Sequence, residues 1–254
     1  DLHLSEAQQS WLSAIDDINL RESYSDTLRN VGFRRDLWHK SSCRLSSDEQ
    51  QTQLLQTALV LLHPVGALAL TLTGDLGVFE LPEAPLLLML NHLAENDYRP
   101  KTVAELWKLL AEQGIHVDFA AFKSLLISLT ALGYIHPAQD EHDVKQNSES
   151  AQALNRQLCQ HAWKDGSVGY LASPLAGCGL QVSRLQQLLL LARAQTQSTN
   201  ASDWATWLFA RQHLTTQPFC PDVQASEQLV WLVSTAQQFN DLRLALLLAH
   251  GCVL

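Results

Sequence analysis

The chain is poor in several things at once, and each shortage excludes a class of protein. It has one methionine, Met89, and begins at Asp1. No charged stretch followed by an apolar one stands at that start, and we expect the sequence to be a piece of a longer protein. Five cysteines (Cys43, Cys159, Cys178, Cys220 and Cys252) lie scattered without a C-x-x-C pair. That spacing writes neither a zinc ribbon nor a dithiol redox motif. Small buried thiols in a reducing compartment are the expectation. Long apolar runs are missing too. Stretches such as 86–90 and 188–192 fall far short of the roughly 20 residues needed to span a bilayer. Positive charge is scarce, with 17 Lys+Arg against 26 Asp+Glu and a formal net charge of -9. Phosphate neutralisation needs the opposite balance, so general nucleic-acid binding is not expected.

Phosphate cradles of the G-x-G-x-x-G or G-K-[ST] type do not occur, nor do G-x-S-x-G or H-E-x-x-H. The glycines of "AGCGL", Gly177 and Gly179, lack the strand-to-helix setting and the acidic residue that a dinucleotide site requires. Hence no catalytic residue, no bound cofactor and no metal are expected in this chain. His136, Glu141 and His142 form its one tight group of potential ligands. They fall in a polar stretch that reads as a loop, and zinc needs ligands held rigidly.

Helix signals are plentiful. Ser5 with Gln8, Ser46 with Glu49, and Thr102 with Glu105 have capping-box spacing. Apolar residues at helical period predict a helix after Ser5 and another through Leu20, Tyr24, Leu28 and Val31, stopped by Gly32. A helix over 48–62 and a hairpin within 66–82 come next, the latter from the alternation of Leu68, Leu70 and Leu72 and the turn "TGDLG". Three helices succeed them, over 84–96, 103–113 and 119–132, the last with Asp118 as N-cap and Gly133 behind it. "YIHPA" trails as an extended piece. Helix, helix, tight turn, helix and strand make a winged-helix pattern. The helix at the recognition position, "FAAFKSLLISLTAL", carries Lys123 as its single charge, whereas base readout uses Arg, Asn and Gln. It reads as a buried or partner-packed helix. Residues 139–150 read as a mobile wing or linker, 170–180 as an irregular connection, and 184–194, 203–213 and 226–250 as helices. "SLTALGYI" (128–135) is echoed by "LLLAHGCV" (246–253). That echo leaves two readings open, a second degenerate winged helix or simply two helices ending at glycine. The fold class is therefore α+β, mainly α, with winged-helix-like lobe or lobes and small β-hairpins. Its expected parts are an N-terminal helical segment at 1–82, the winged-helix-like lobe at 83–150 and a C-terminal helical lobe at 151–254.

Arginine is unevenly spread. Arg21, Arg29, Arg34, Arg35 and Lys40 crowd into "LRESYSDTLRNVGFRRDLWHK", residues 20–40. One reading is a structural clamp, in which Arg34 or Arg35 pairs with Asp26, Asp36 or Glu22. Bidentate guanidinium–carboxylate geometry suits that arrangement. The other is a docking surface. The segment resembles the entry to the predicted methyltransferase regulatory domain, which follows the catalytic domain in some bacterial S-adenosylmethionine-dependent methyltransferases. Asp26, Asn30, Phe33 and Arg34 carry the resemblance, with Arg35 and Asp36 adding to it. "YLASPLA" (170–176) resembles a later feature of that family, although Gly177 stands where the family usually has arginine. The resemblance spans about 19–254. It implies a non-catalytic regulatory or substrate-recruiting module, cytoplasmic, whose partner is the methyltransferase catalytic domain of the same polypeptide. A protein substrate is a second candidate partner, and neither nucleic acid nor membrane is expected. The alternative function is a stand-alone protein-interaction or dimerisation domain unrelated to methyl transfer.

Overall fold

The computed structural model describes residues 4–32, 45–69, 71–74, 77–215, 218, 223–224 and 226–254. In chain order the elements are α1 (Glu6–Ser13), α2 (Ile18–Leu28), α3 (Ser47–Gln56), β1 (Ala58–Leu61), β2 (Thr71–Gly74), β3 (Gly77–Glu80), α4 (Glu83–Tyr98), β4 (Lys101–Thr102), α5 (Val103–Glu112), α6 (Phe119–Ala131) and β5 (Ile135–Pro137). They continue with α7 (Glu141–His161), β6 (Tyr170–Ser173), β7 (Cys178–Gln181), α8 (Arg184–Thr196), α9 (Ala201–Phe209), α10 (Gln228–Phe239) and α11 (Ala245–Ala249). The protein is mainly α, with small antiparallel strand pairs. Among the described residues no helix is long and apolar enough to cross a membrane.

Two compact units divide the chain, one of Asp1–Gln51 with Ala69–Leu86, the other of Thr52–Leu68 with Leu87–Leu254. In the first unit, α1 starts at the Ser5–Gln8 capping box. The Trp11 ring meets Tyr24 of α2 edge-on at 5.2 Å. Helix α2 ends two residues earlier than Gly32 suggests. Asn30 takes the left-handed conformation (φ 53), and the Val31 amide donates back to the Asp26 carbonyl. This is a Schellman ending with Asn in the usual glycine position, which its short polar side chain tolerates. The expected hairpin is present as β2–β3, with Leu72 opposite Phe79.

The second unit contains a three-stranded sheet in the order β4–β1–β5, antiparallel throughout. The central strand corrects the expected helix over 48–62. Helix α3 stops at Gln56, and Ala58–Leu61 turns extended. "ALVL" is a short apolar run whose period fits either state. Tertiary structure decides it, because this strand has a partner on each side and its last three residues are buried. Helix α4, strand β4, helices α5 and α6 and strand β5 succeed one another in sequence. The strand between β4 and β5 is contributed by β1, from upstream. Leu90, Leu93, Leu106, Phe122, Leu129 and Ile135 are buried here. Trp107 of α5 lies 4.7 Å from Phe122 of α6, ring centre to ring centre.

The stretch 139–150 is not a wing. It is the first half of α7, a continuous helix from Glu141 that passes the expected boundary at residue 150. Asp140 caps it by accepting from the Asp143 amide, and Glu141 pairs with Lys145 one turn on. Apolar periodicity is faint here because the buried face begins only at Ala151. Local capping and i,i+4 pairing set the start instead. Residues 170–180 likewise form the hairpin β6–β7 rather than an irregular link. Gly177 makes its turn at φ +63, where an added Cβ would stand 2.6 Å from the Gln139 side chain. The helix expected over 203–213 ends at Phe209. Helices α10 and α11 join through a π-helical turn, Asn240–Leu244. Around α8, α9 and α10 lies a core that includes Leu188, Trp204, Leu208, Leu232 and Leu247.

Candidate functional site

The expected clamp rests on Arg34, Arg35 and Asp36, which lie outside the described residues, and on Asp26, which is half-buried on α2. Asn30 and Asp26 have a second duty, as the Schellman ending of α2 uses the conformation of one and the main-chain carbonyl of the other. His136 sits on β5 with Nδ1 against the Pro137 carbonyl at 2.8 Å. Glu141 is engaged with Lys145. Among the described residues, no group of three His, Cys, Asp or Glu could hold a metal ion.

A different constellation emerges where β1, the β6–β7 hairpin and the C-terminal helix meet within the second unit. His250 is fully buried. Its Nε2 faces the Leu61 carbonyl at 2.9 Å, and Nδ1 faces Ser173 Oγ at 2.9 Å. A carbonyl only accepts, so Nε2 carries the ring proton and Nδ1 accepts from the serine hydroxyl. Ser173 Oγ in turn accepts from the Ala176 amide at 3.0 Å. Burial holds His250 down to about 4. The Leu61 carbonyl opposes that shift, and the charges of Arg243 and His136 reinforce it. The ring is thus neutral at physiological pH. A serine hydroxyl on a histidine resembles a nucleophile and its base. Here, however, Ser173 is 3% exposed and His250 0%, and a main-chain carbonyl stands where an orienting carboxylate would. The pair ties hairpin and C-terminus to β1.

Neighbouring groups extend this seam. Asn155 of α7 grips Ala172 at both its amide and its carbonyl, at 2.7 and 2.9 Å. Cys159 and Cys252 are buried with their thiols pushed up to about 12, which makes them inert. Arg243 leaves the π-turn to donate to the Leu62 carbonyl at 3.2 Å and the Gln181 carbonyl at 3.0 Å. It is 8% exposed, and burial pulls its pKa below the ordinary guanidinium range. The group still stays charged at any physiological pH.

Arg243 also lines a pocket of about 510 Å³, bounded by His63, Pro64 and Ala67, by the corner from β7 into α8, and by Phe239 and Leu242. The corner is built by a capping box, Ser183 with Gln186, and that spacing is legible in the sequence. No sequence signal marks Arg243. Its position depends on a π-turn, a feature often found at functional sites, and on two strands distant in the chain.

Comparison with known proteins adds one relative. The chain is 32% identical over 250 residues to the uncharacterized protein sll1526 of Synechocystis, a match covering 98% of this chain and 48% of that protein. The chain thus spans about half the length of the curated relative it matches. No protein-family description matches the chain, and no solved structure does.

Proposed function

We propose that this chain is a non-catalytic regulatory or substrate-recruiting module of a bacterial S-adenosylmethionine-dependent methyltransferase, acting in the cytoplasm. The observation that carries the reading is one of extent. Nearly the whole chain aligns with only about half of a longer relative, as expected of a module that accompanies another domain. The residues that resemble the methyltransferase regulatory domain fit the same reading. Asn30 supplies a left-handed helix ending, and "YLASPLA" builds a hairpin whose Ser173 is bound into the buried seam. Gly177 departs from that pattern, since it stands where the family usually has arginine and adopts a conformation that strains a residue with a side chain.

The test is to co-express the chain with the methyltransferase domain of the same polypeptide on a separate plasmid. The expected outcome is a complex that co-elutes in size-exclusion chromatography and an altered rate of methyl transfer. Separate elution together with an unchanged rate would overturn the proposal and favour a stand-alone interaction domain.

A further inference from the structure

The pocket beside Arg243 has a consistent electrostatic character. Arg243 is a buried cation whose hydrogen bonds go to two carbonyls, those of Leu62 and Gln181. A guanidinium has five N–H donors. Among the described residues neither a carboxylate nor any further acceptor is bonded to this one. Ser183, Leu185 and Gln186 bring the first turn of α8 to the same wall, and a helix N-terminus carries partial positive charge. His63 borders the cavity, and among the described residues that line it there is no Asp or Glu. Leu185, Leu189 and Phe239 supply an apolar part of the wall, with Thr235 and Gln238 beside them. A buried charge is normally paired, and this one lines a cavity large enough for a small molecule.

We propose that this pocket binds a small organic anion with an apolar body, its acid group at Arg243 and the first turn of α8, its hydrocarbon against Leu185, Leu189 and Phe239. The proposal is independent of any attachment to a methyltransferase. A module without such a partner would still bind the anion, and a module with the partner would still associate if the pocket proved empty of function.

Octanoate, octyl phosphate and 1-octanol separate the contributions, titrated by calorimetry or by heteronuclear NMR against the full chain. With about ten heavy atoms, an acid that uses both the charge and the apolar wall should bind at roughly millimolar or tighter. Octanol, lacking the charge, should bind several-fold more weakly. Whichever of the two acids binds better identifies the headgroup class. Arg243→Met should abolish the preference for the acids. Because Arg243 also satisfies two carbonyls, that variant is paired with Gln238→Glu, a near-isosteric change at an exposed residue of the pocket lining. Adding a negative charge there should weaken the acids about fivefold at low salt and leave octanol unchanged. Equal binding of octanol and the acids, indifference of the acids to Gln238→Glu, or no binding of any probe overturns the proposal.

Discussion

At the scale of single residues, the histidine at position 250 shows how burial and hydrogen bonding set chemistry. Its imidazole is neutral because the fold removes it from water and gives Nε2 a carbonyl and Nδ1 a hydroxyl. The linkage to stability has a definite sign. The folded value, about 4, lies below the ordinary 6.5, so the unfolded chain binds more protons between those two values. Stability is full above about pH 6.5 and is lost as pH falls toward 4. By pH 5 the loss from this group should be about 2 kcal/mol. His63 is displaced in the same direction, by burial first and Arg243 second, so wild type alone does not isolate His250. Denaturant unfolding of wild type and His250→Gln at pH 7 and pH 5 does. The variant should lose about 2 kcal/mol less between the two pH values than the parent. Parallel losses would mean that His250 is protonated in the folded protein.

At the scale of elements, the echo between 128–135 and 246–253 is a repeated helix ending. The Tyr134 amide donates to the Leu129 carbonyl and the Cys252 amide to the Leu247 carbonyl. Gly133 and Gly251 occupy the left-handed position at φ +70 and +72. Beyond the glycine the two diverge, since β5 continues the first ending while the second leads into Cys252, bonded to the Ala172 carbonyl. The surroundings differ as well. A Cβ on Gly133 meets nothing within 4 Å, whereas one on Gly251 would stand 2.8 Å from Pro174 Cγ. Gly133→Ala should therefore cost about 1 kcal/mol from backbone strain alone. Gly251→Ala adds a clash with a rigid ring and should cost about 2–3 kcal/mol. Urea titration of both variants checks the order. Equal costs would show that the C-terminal ending yields without resistance.

At the scale of the molecule, a helix-strand-helix-helix-strand order invites comparison with DNA readers, but charge and burial point elsewhere. The net charge is -9. Helix α6 turns Phe122, Leu125, Leu126 and Leu129 inward, leaving Lys123 as the one charge along it. Duplex DNA should show no saturable binding tighter than about 10⁻⁶ M at physiological salt. Fluorescence anisotropy with a labelled duplex checks this, and a submicromolar isotherm would restore the nucleic-acid reading.

What the sequence determined by itself is mostly local. The capping residues Ser5, Ser46, Thr102 and Asp118, the glycine endings and the amphipathic period of α5 and α9 act within a few residues, so they are legible without the fold. The hairpin β2–β3 is legible for the same reason, from alternation and turn chemistry. What only tertiary structure decided concerns partners far apart in the chain. "ALVL" is a strand because β4 and β5 flank it, and the β6–β7 hairpin is held at Ala172 by Asn155 of α7. The seam joins Leu61 to His250, 189 residues away, and Arg243 to Leu62, 181 residues away. No spacing rule reaches that far. A histidine and an arginine in an apolar C-terminal helix look unremarkable as letters. Only the packed chain removes their water and leaves one neutral, the other charged at the edge of a pocket.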